Sequence, residues 1–209
     1  MNFIIKCETF LRLSSVCDFF EPSLTDETKR RINTVRLENK SGKSFAIATN
    51  EKIAVVEYLG VTDHADGCTH LKITKQLKEQ ATLEAMFDGQ FNVTVMKEVG
   101  MSNITTTTGF IINDCCHWLD DTPLNKWRTW GAKNSDKSRG IMYMDVFHIE
   151  TLIKSSPSGK IYFPEFIDIK QPTTVRDCNN ESWVGLFIPE PEGGKVITKQ
   201  AELPEWWNE

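Results

Sequence analysis

Apolar and polar positions along this chain switch between two periods. Phe3 to Cys7 is a short apolar, β-prone stretch. It leads into ETFLRLSSVCDFF, where Phe10, Leu13, Val16, Cys17 and Phe20 recur at the spacing of one helix face. Pro22 predicts the end of that helix, and a polar stretch carrying Lys29, Arg30 and Arg31 follows. Ile32 to Leu37 and Ser44 to Thr49 read as strands joined by a turn at Asn39-Lys-Ser-Gly42, and Ile53 to Leu59 reads as a third strand. The order is one strand, one helix, then three strands.

That order recurs. After a polar linker around Gly60 to Gly67, His70 to Ile73 predicts a brief strand, and Thr74 is placed to cap a helix with Leu77, Ala81, Leu83 and Phe87 on its apolar side. Strands are expected at Phe91 to Met96, Ile104 to Thr108 and Phe110 to Asn113. A looser region, 118–140, holds Trp118, Trp127 and Trp130. A third round then begins: a strand at Ile141 to Val146, a helix over 148–155, and extended segments at Lys160 to Ile169, Pro172 to Arg176 and Trp183 to Ile188. Three βαβββ units of roughly 50–60 residues form an internal repeat. The fold class this predicts is α+β.

Composition changes little in that picture. The 209 residues are 40% hydrophobic and 25% charged, ordinary for a folded chain with a substantial core. With 24 Lys and Arg against 29 Asp and Glu, the net charge of -5 excludes a uniformly basic coat but not a local basic surface. Lys6, Glu8 and Arg12 interrupt the apolar start, so no export signal is read and a cytoplasmic protein is expected. The six cysteines are then expected as thiols.

The candidate chemistry is sparse. Ser41-Gly-Lys-Ser44 suggests a phosphate loop, but Leu37 stands where an earlier glycine is needed, and a strand rather than a helix follows; a hairpin turn is the preferred reading. Asp63, His64, Asp66, Cys68 and His70 form the densest set of metal-ligating types. A zinc site would need Cys115, Cys116 or His117 brought in by tertiary contact, and a solvated linker is preferred. Neither the Cys116-His117 neighbours nor the scattered carboxylates form a catalytic constellation, so no enzyme, cofactor or metal is expected. Basic residues recur with the helices: Lys6 and Arg12 near the first, Lys29, Arg30 and Arg31 after it, Lys75 and Lys78 on the second, Lys154 on the third. Ordinary helix solvation explains each singly; a shared function requires that all three helices face one way.

With the three units in view, the chain resembles the DNA sliding clamp family, the bacterial beta clamp and its phage relatives. The resemblance is carried by FIIKCETFLRLSSVCDFF, by VRLENKSGKSFAIATNEKIAVVEYLG with Ala48-Thr49-Asn50 and Ala54, and by LKITKQLKEQATLEAMF. DDTPLNKWRTW, at the place of a clamp's crossover, and Pro172-Thr-Thr-Val-Arg-Asp177 followed by WVGLFIP add to it.

It implies helices on one face of curved antiparallel sheets, lining a hole that encircles duplex DNA. It further implies a homo-oligomeric ring that tethers a replicative polymerase, with a clamp loader as a further partner. The basic residues named above become lumen candidates. Val175, Leu186, Ile188 and Pro189 match the pocket that takes a partner peptide, with core packing an equal alternative for Val175 and Leu186. The domains implied are residues 1–130 with two units and the crossover, 131–190 with a third unit resembling the second half of a clamp domain, and a tail, 191–209, containing Trp206 and Trp207. Three units depart from the family's even number, although several such chains could close a ring. The short length suggests a phage protein acting in an infected host's cytoplasm. A clamp-like protein that forms no ring, and instead binds or inhibits a host clamp or its partners, is the alternative.

Overall fold

The computed structural model describes residues 1–18, 26, 32–50, 52–117, 127–128, 146–163, 173–187 and 206. Twelve strands are found among them: β1 (Asn2–Lys6), β2 (Thr34–Lys40), β3 (Lys43–Thr49), β4 (Ile53–Val61), β5 (Gly67–Lys72), β6 (Gln90–Met96), β7 (Met101–Thr106), β8 (Ile111–Asn113), β9 (Cys116–His117), β10 (Ile161–Tyr162), β11 (Thr173–Asp177) and β12 (Trp183–Phe187). The helices are α1 (Cys7–Val16), α2 (Lys75–Ala85) and α3 (Val146–Ser155), with one 3-10 turn at Lys97–Val99.

Local chemistry places most boundaries. The Thr74 hydroxyl accepts the Leu77 amide at 3.1 Å, capping α2 as its position predicts. The β2–β3 hairpin turns on Ser41 and Gly42, both at positive φ (51° and 76°), the backbone of a tight two-residue turn. No phosphate-cradling loop forms there.

Other expectations change. The helix expected to reach Phe20 ends at Val16, where the Cys17 amide closes a tight turn on the Ser14 carbonyl at 3.1 Å. The expected linker at 60–67 is shorter than read: Gly60 and Val61 belong to β4 and Gly67 to β5, Asp63, His64 and Asp66 stay in the loop between them, and Cys68 and His70 lie within β5. Antiparallel pairing with β2 recruits that polar segment into the sheet. Val146 opens α3 instead of closing a strand; 141–145 lie outside the described residues. Of the segment expected at 160–169, β10 is the described strand, and 164–169 also lie outside.

The strands form two antiparallel sheets, ordered β1-β6-β7-β8 and β10-β11-β12-β4-β3-β2-β5-β9. The first two units therefore exchange their first strands. β1 leaves β2–β4 to pair with β6 of the second unit, Phe3 opposite Val93, while β5 leaves β6–β8 to pair with β2, Val35 opposite Leu71. The third unit's β12 pairs with β4, Leu186 opposite Ala54, and so extends the first unit's sheet.

Both faces of the larger sheet are buried at its centre. Ala46, Ala48, Ile53, Val55, Trp183 and Phe187 point to the helix layer, where Phe10, Leu13, Leu77, Ala81 and Leu152 meet them. The alternate residues Phe45, Ile47, Ala54, Val56, Val184 and Leu186 form a second apolar cluster on the outer face, with Trp127. Double-sided burial explains why β3, β4 and β12 read as near-continuous apolar runs.

Candidate nucleic-acid and partner faces

The three helices lie side by side, α1 packed against both α2 and α3, as a shared function of their basic residues requires. Gly185 allows the third to approach: a Cβ there would stand 2.8 Å from Leu152 Cδ2 and 2.7 Å from the Trp183 ring. The helix layer is thus one surface with strands behind it.

Its charges are paired. Lys6 meets Asp88 at 3.0 Å, Lys78 meets Asp18 at 2.6 Å, and Lys75 and Lys154 lie 3.8 Å from Glu79 and Glu150, one helical turn away. Arg12 is held in the structure: it donates to both carboxylate oxygens of Glu57 on β4, at 2.8 and 2.9 Å, and bridges Glu8 at 3.1 Å. Burial raises the Glu57 pKa despite the lowering effect of Arg12 beside it. Each helix carries as many acidic as basic residues, so none has net formal charge. Lys29, Arg30 and Arg31 lie outside the described residues.

The opposite face of the larger sheet carries a different site. Glu38 on β2 accepts from Arg36 at 2.7 Å, from the Trp127 indole at 3.3 Å and from Arg128. Burial works to raise its pKa, but the bonds from Arg128 and Arg36 outweigh it and hold the carboxyl below the usual range. Beside it is an open pocket of about 310 Å³, lined by Arg36, Glu38, Lys40, Asp66, Cys68 and Arg128. Above β3 and β4, the Phe45 ring is ringed by Tyr58 at 5.6 Å, Trp127 at 5.3 Å and Trp206 at 5.8 Å, and Arg128 lies 5.2 Å over it.

Of the proposed peptide-pocket residues, the two described ones, Val175 and Leu186, are not brought together. Val175 faces the helix layer and Leu186 the outer cluster, on opposite sides of one sheet. Ile188 and Pro189 lie outside the described residues. The metal-ligand candidates converge only in part: His70 stands opposite His117 across β5 and β9, but no cluster of three metal-ligating side chains forms among the described residues. Trp127 and Arg128 escaped sequence reasoning as site residues, and Trp206 reads there only as part of a tail. Their segments lack periodicity, and only an excess of tryptophan outside the repeat marked them.

No protein-family model matches the chain, and no curated protein matches it by sequence. Solved structures do. A DNA polymerase sliding clamp from Pseudomonas aeruginosa, crystallised with a ligand, superposes with a TM-score of 0.64 at 12% identity over 92% of this chain and 66% of that one. A DNA polymerase III beta chain from Streptococcus pneumoniae gives 0.64 at 8% identity over 92% and 65%. The beta subunit from Thermotoga maritima gives 0.59 at 9% identity over 92% and 66%. The chain spans just under two thirds of the length of these proteins. A likeness at this identity is one of fold: the chain has the sliding-clamp fold, α+β, with helices on one face of antiparallel sheets.

Proposed function

We propose that this chain is a sliding clamp: a non-enzymatic processivity factor that encircles duplex DNA as a homo-oligomer and tethers a replicative polymerase. One observation carries the reading. Two units complete each other by exchanging first strands, and a third joins their sheet edge to edge, so that three helices line one continuous surface. Residues 1–130 are the two-unit domain, 131–190 the third unit and 191–209 a tail. Among the described residues no strand lies beyond β10, the edge equivalent to the one where β2 receives β5. Phage origin, a clamp loader and a cytoplasmic setting belong to the same proposal; among the described residues no helix is long and apolar enough to cross a membrane.

Physically, such a ring needs weak phosphate contacts that hold without reading sequence, and mobile lysines suit this. Lys75 is the most exposed of the described candidates, 90%, followed by Lys6 and Lys154, each 60%. Electron microscopy of the purified protein is expected to show particles with a central opening wide enough for a duplex. Compact particles without an opening overturn the ring. Reversing Lys75, Lys78 and Lys154 to Glu together is expected to reduce polymerase processivity on primed circular DNA.

The neutrality of the helix faces favours a second reading, in which the chain keeps the fold but forms no ring and binds a clamp or a clamp's partners. A monomer at micromolar concentration that co-elutes with a clamp would select it.

A further inference from the structure

We propose that the aromatic slot on the outer face of β3 and β4 is a peptide-binding site whose resident ligand is this chain's own C-terminal segment, seated through Trp206. The Trp206 ring stacks on Tyr58, centroids 5.9 Å apart and planes 19° apart, and tilts against Phe45 at 5.8 Å. The slot is built from folded elements. Phe45 and Tyr58 are neighbours across the β3–β4 ladder, and Trp127 and Arg128 close its far side. The occupant lies 19 positions beyond the last residue of β12, on a stretch that follows the third repeat.

Three features make this a ligand rather than a core residue. Trp206 is half-buried, whereas Phe45 and Trp127 beneath it are fully enclosed. A large aromatic supplies contact area with few rotors to freeze, the chemistry of a peptide anchor. The residues around it, AELPEWWNE, carry three carboxylates and no basic side chain, while the Arg128 guanidinium lies over the slot's aromatic floor. The partner this site fits is therefore a short acidic peptide with one aromatic anchor.

Tethering sets the competition. An anchor on the same chain is presented at an effective concentration on the order of millimolar, so it covers the apolar floor yet yields to a tighter peptide. This deepens the proposed partner binding but stands apart from ring formation, since nothing in it depends on the helix layer.

The test uses the full chain and a fluorescein-labelled peptide of residues 201–209, read by fluorescence anisotropy. The Trp206→Ala chain is expected to bind it at least tenfold more tightly than the wild type, whose own tail competes. The same peptide with its Trp206 position changed to Ala is expected not to bind, and adding Tyr58→Ala to the Trp206→Ala chain is expected to abolish binding. Absence of binding to the Trp206→Ala chain, or equal binding to both chains, overturns the proposal. Should circular dichroism show that Trp206→Ala is unfolded, Trp206→Leu serves as the second variant, with the same tenfold criterion. Competition by the wild-type tail that fades on dilution would assign the plug to a neighbouring copy and overturn the tethered arrangement. A failed peptide test with ring particles still present removes this inference alone.

Discussion

Arg12 on α1 and Glu57 on β4 form a largely enclosed ion pair, one guanidinium nitrogen lying 2.8 and 2.9 Å from the two carboxylate oxygens, with the Thr9 hydroxyl donating to the same carboxylate at 3.1 Å. A residue whose position suggested DNA contact instead ties the central helix to the sheet. Breaking one side strands a buried charge, which costs about 3–5 kcal/mol, whereas replacing both with apolar groups is often nearly neutral. Arg12→Met is expected to lower the urea midpoint markedly, and Arg12→Met with Glu57→Leu to recover most of the loss. If Arg12→Met leaves the midpoint unchanged, the pair does not brace the fold.

Gly185 governs where α3 sits. Its missing Cβ is occupied by Leu152 of α3 and by the Trp183 ring, neither of which is free to move far inside a packed core. Gly185→Ala is expected to cost about 1–3 kcal/mol through overpacking. Adding Leu152→Ala to it should recover part of that loss, even though Leu152→Ala alone destabilises. Additive losses in thermal unfolding would argue against the contact.

His70 should impose a pH dependence on stability. Burial chiefly, and then the charges of Arg36 and His117, push its pKa from 6.5 down to about 3. The folded state therefore keeps the ring neutral while the unfolded chain protonates it. Stability from this group is present above 6.5 and is lost as pH falls from 6.5 towards 3, by up to about 1.4 kcal/mol per pH unit. Urea titrations over that range should show a steeper decline for the wild type than for His70→Gln. Parallel curves would remove the assignment.

Thr74 is the one side-chain cap of α2 that a single atom controls. Losing its bond to the Leu77 amide is expected to cost about 1 kcal/mol, so Thr74→Ala should lower stability while Thr74→Ser preserves it. Equal stability of the three proteins would show that the cap is dispensable.

The candidate faces were legible to different degrees. The periodicity of Phe10, Leu13 and Val16 predicted the buried side of α1, because a helix face is written in spacing alone. On α2 only Leu77 and Ala81 of the expected apolar set are buried, while Leu83 and Phe87 are exposed. The same spacing could not say that Arg12 turns to Glu57, since that partner lies 45 positions away. Nor did it separate Val175 from Leu186. Their strands are buried on both faces, so alternation, the usual marker of side, is lost.

By itself the sequence determined the recurrence of strand, helix and strands in the first two units, the turn at Ser41-Gly42 and the Thr74 cap. These depend on neighbours within a few residues, where backbone sterics and local hydrogen bonds decide. Only the tertiary structure decided that β1 and β5 change places, that the third unit's β12 continues from β4, and that Trp206 meets Tyr58 across 148 positions of chain. Strand edges are chemically alike and aromatic faces will stack on many partners. Which ones meet is settled by the burial of the whole chain, and no local pattern records it.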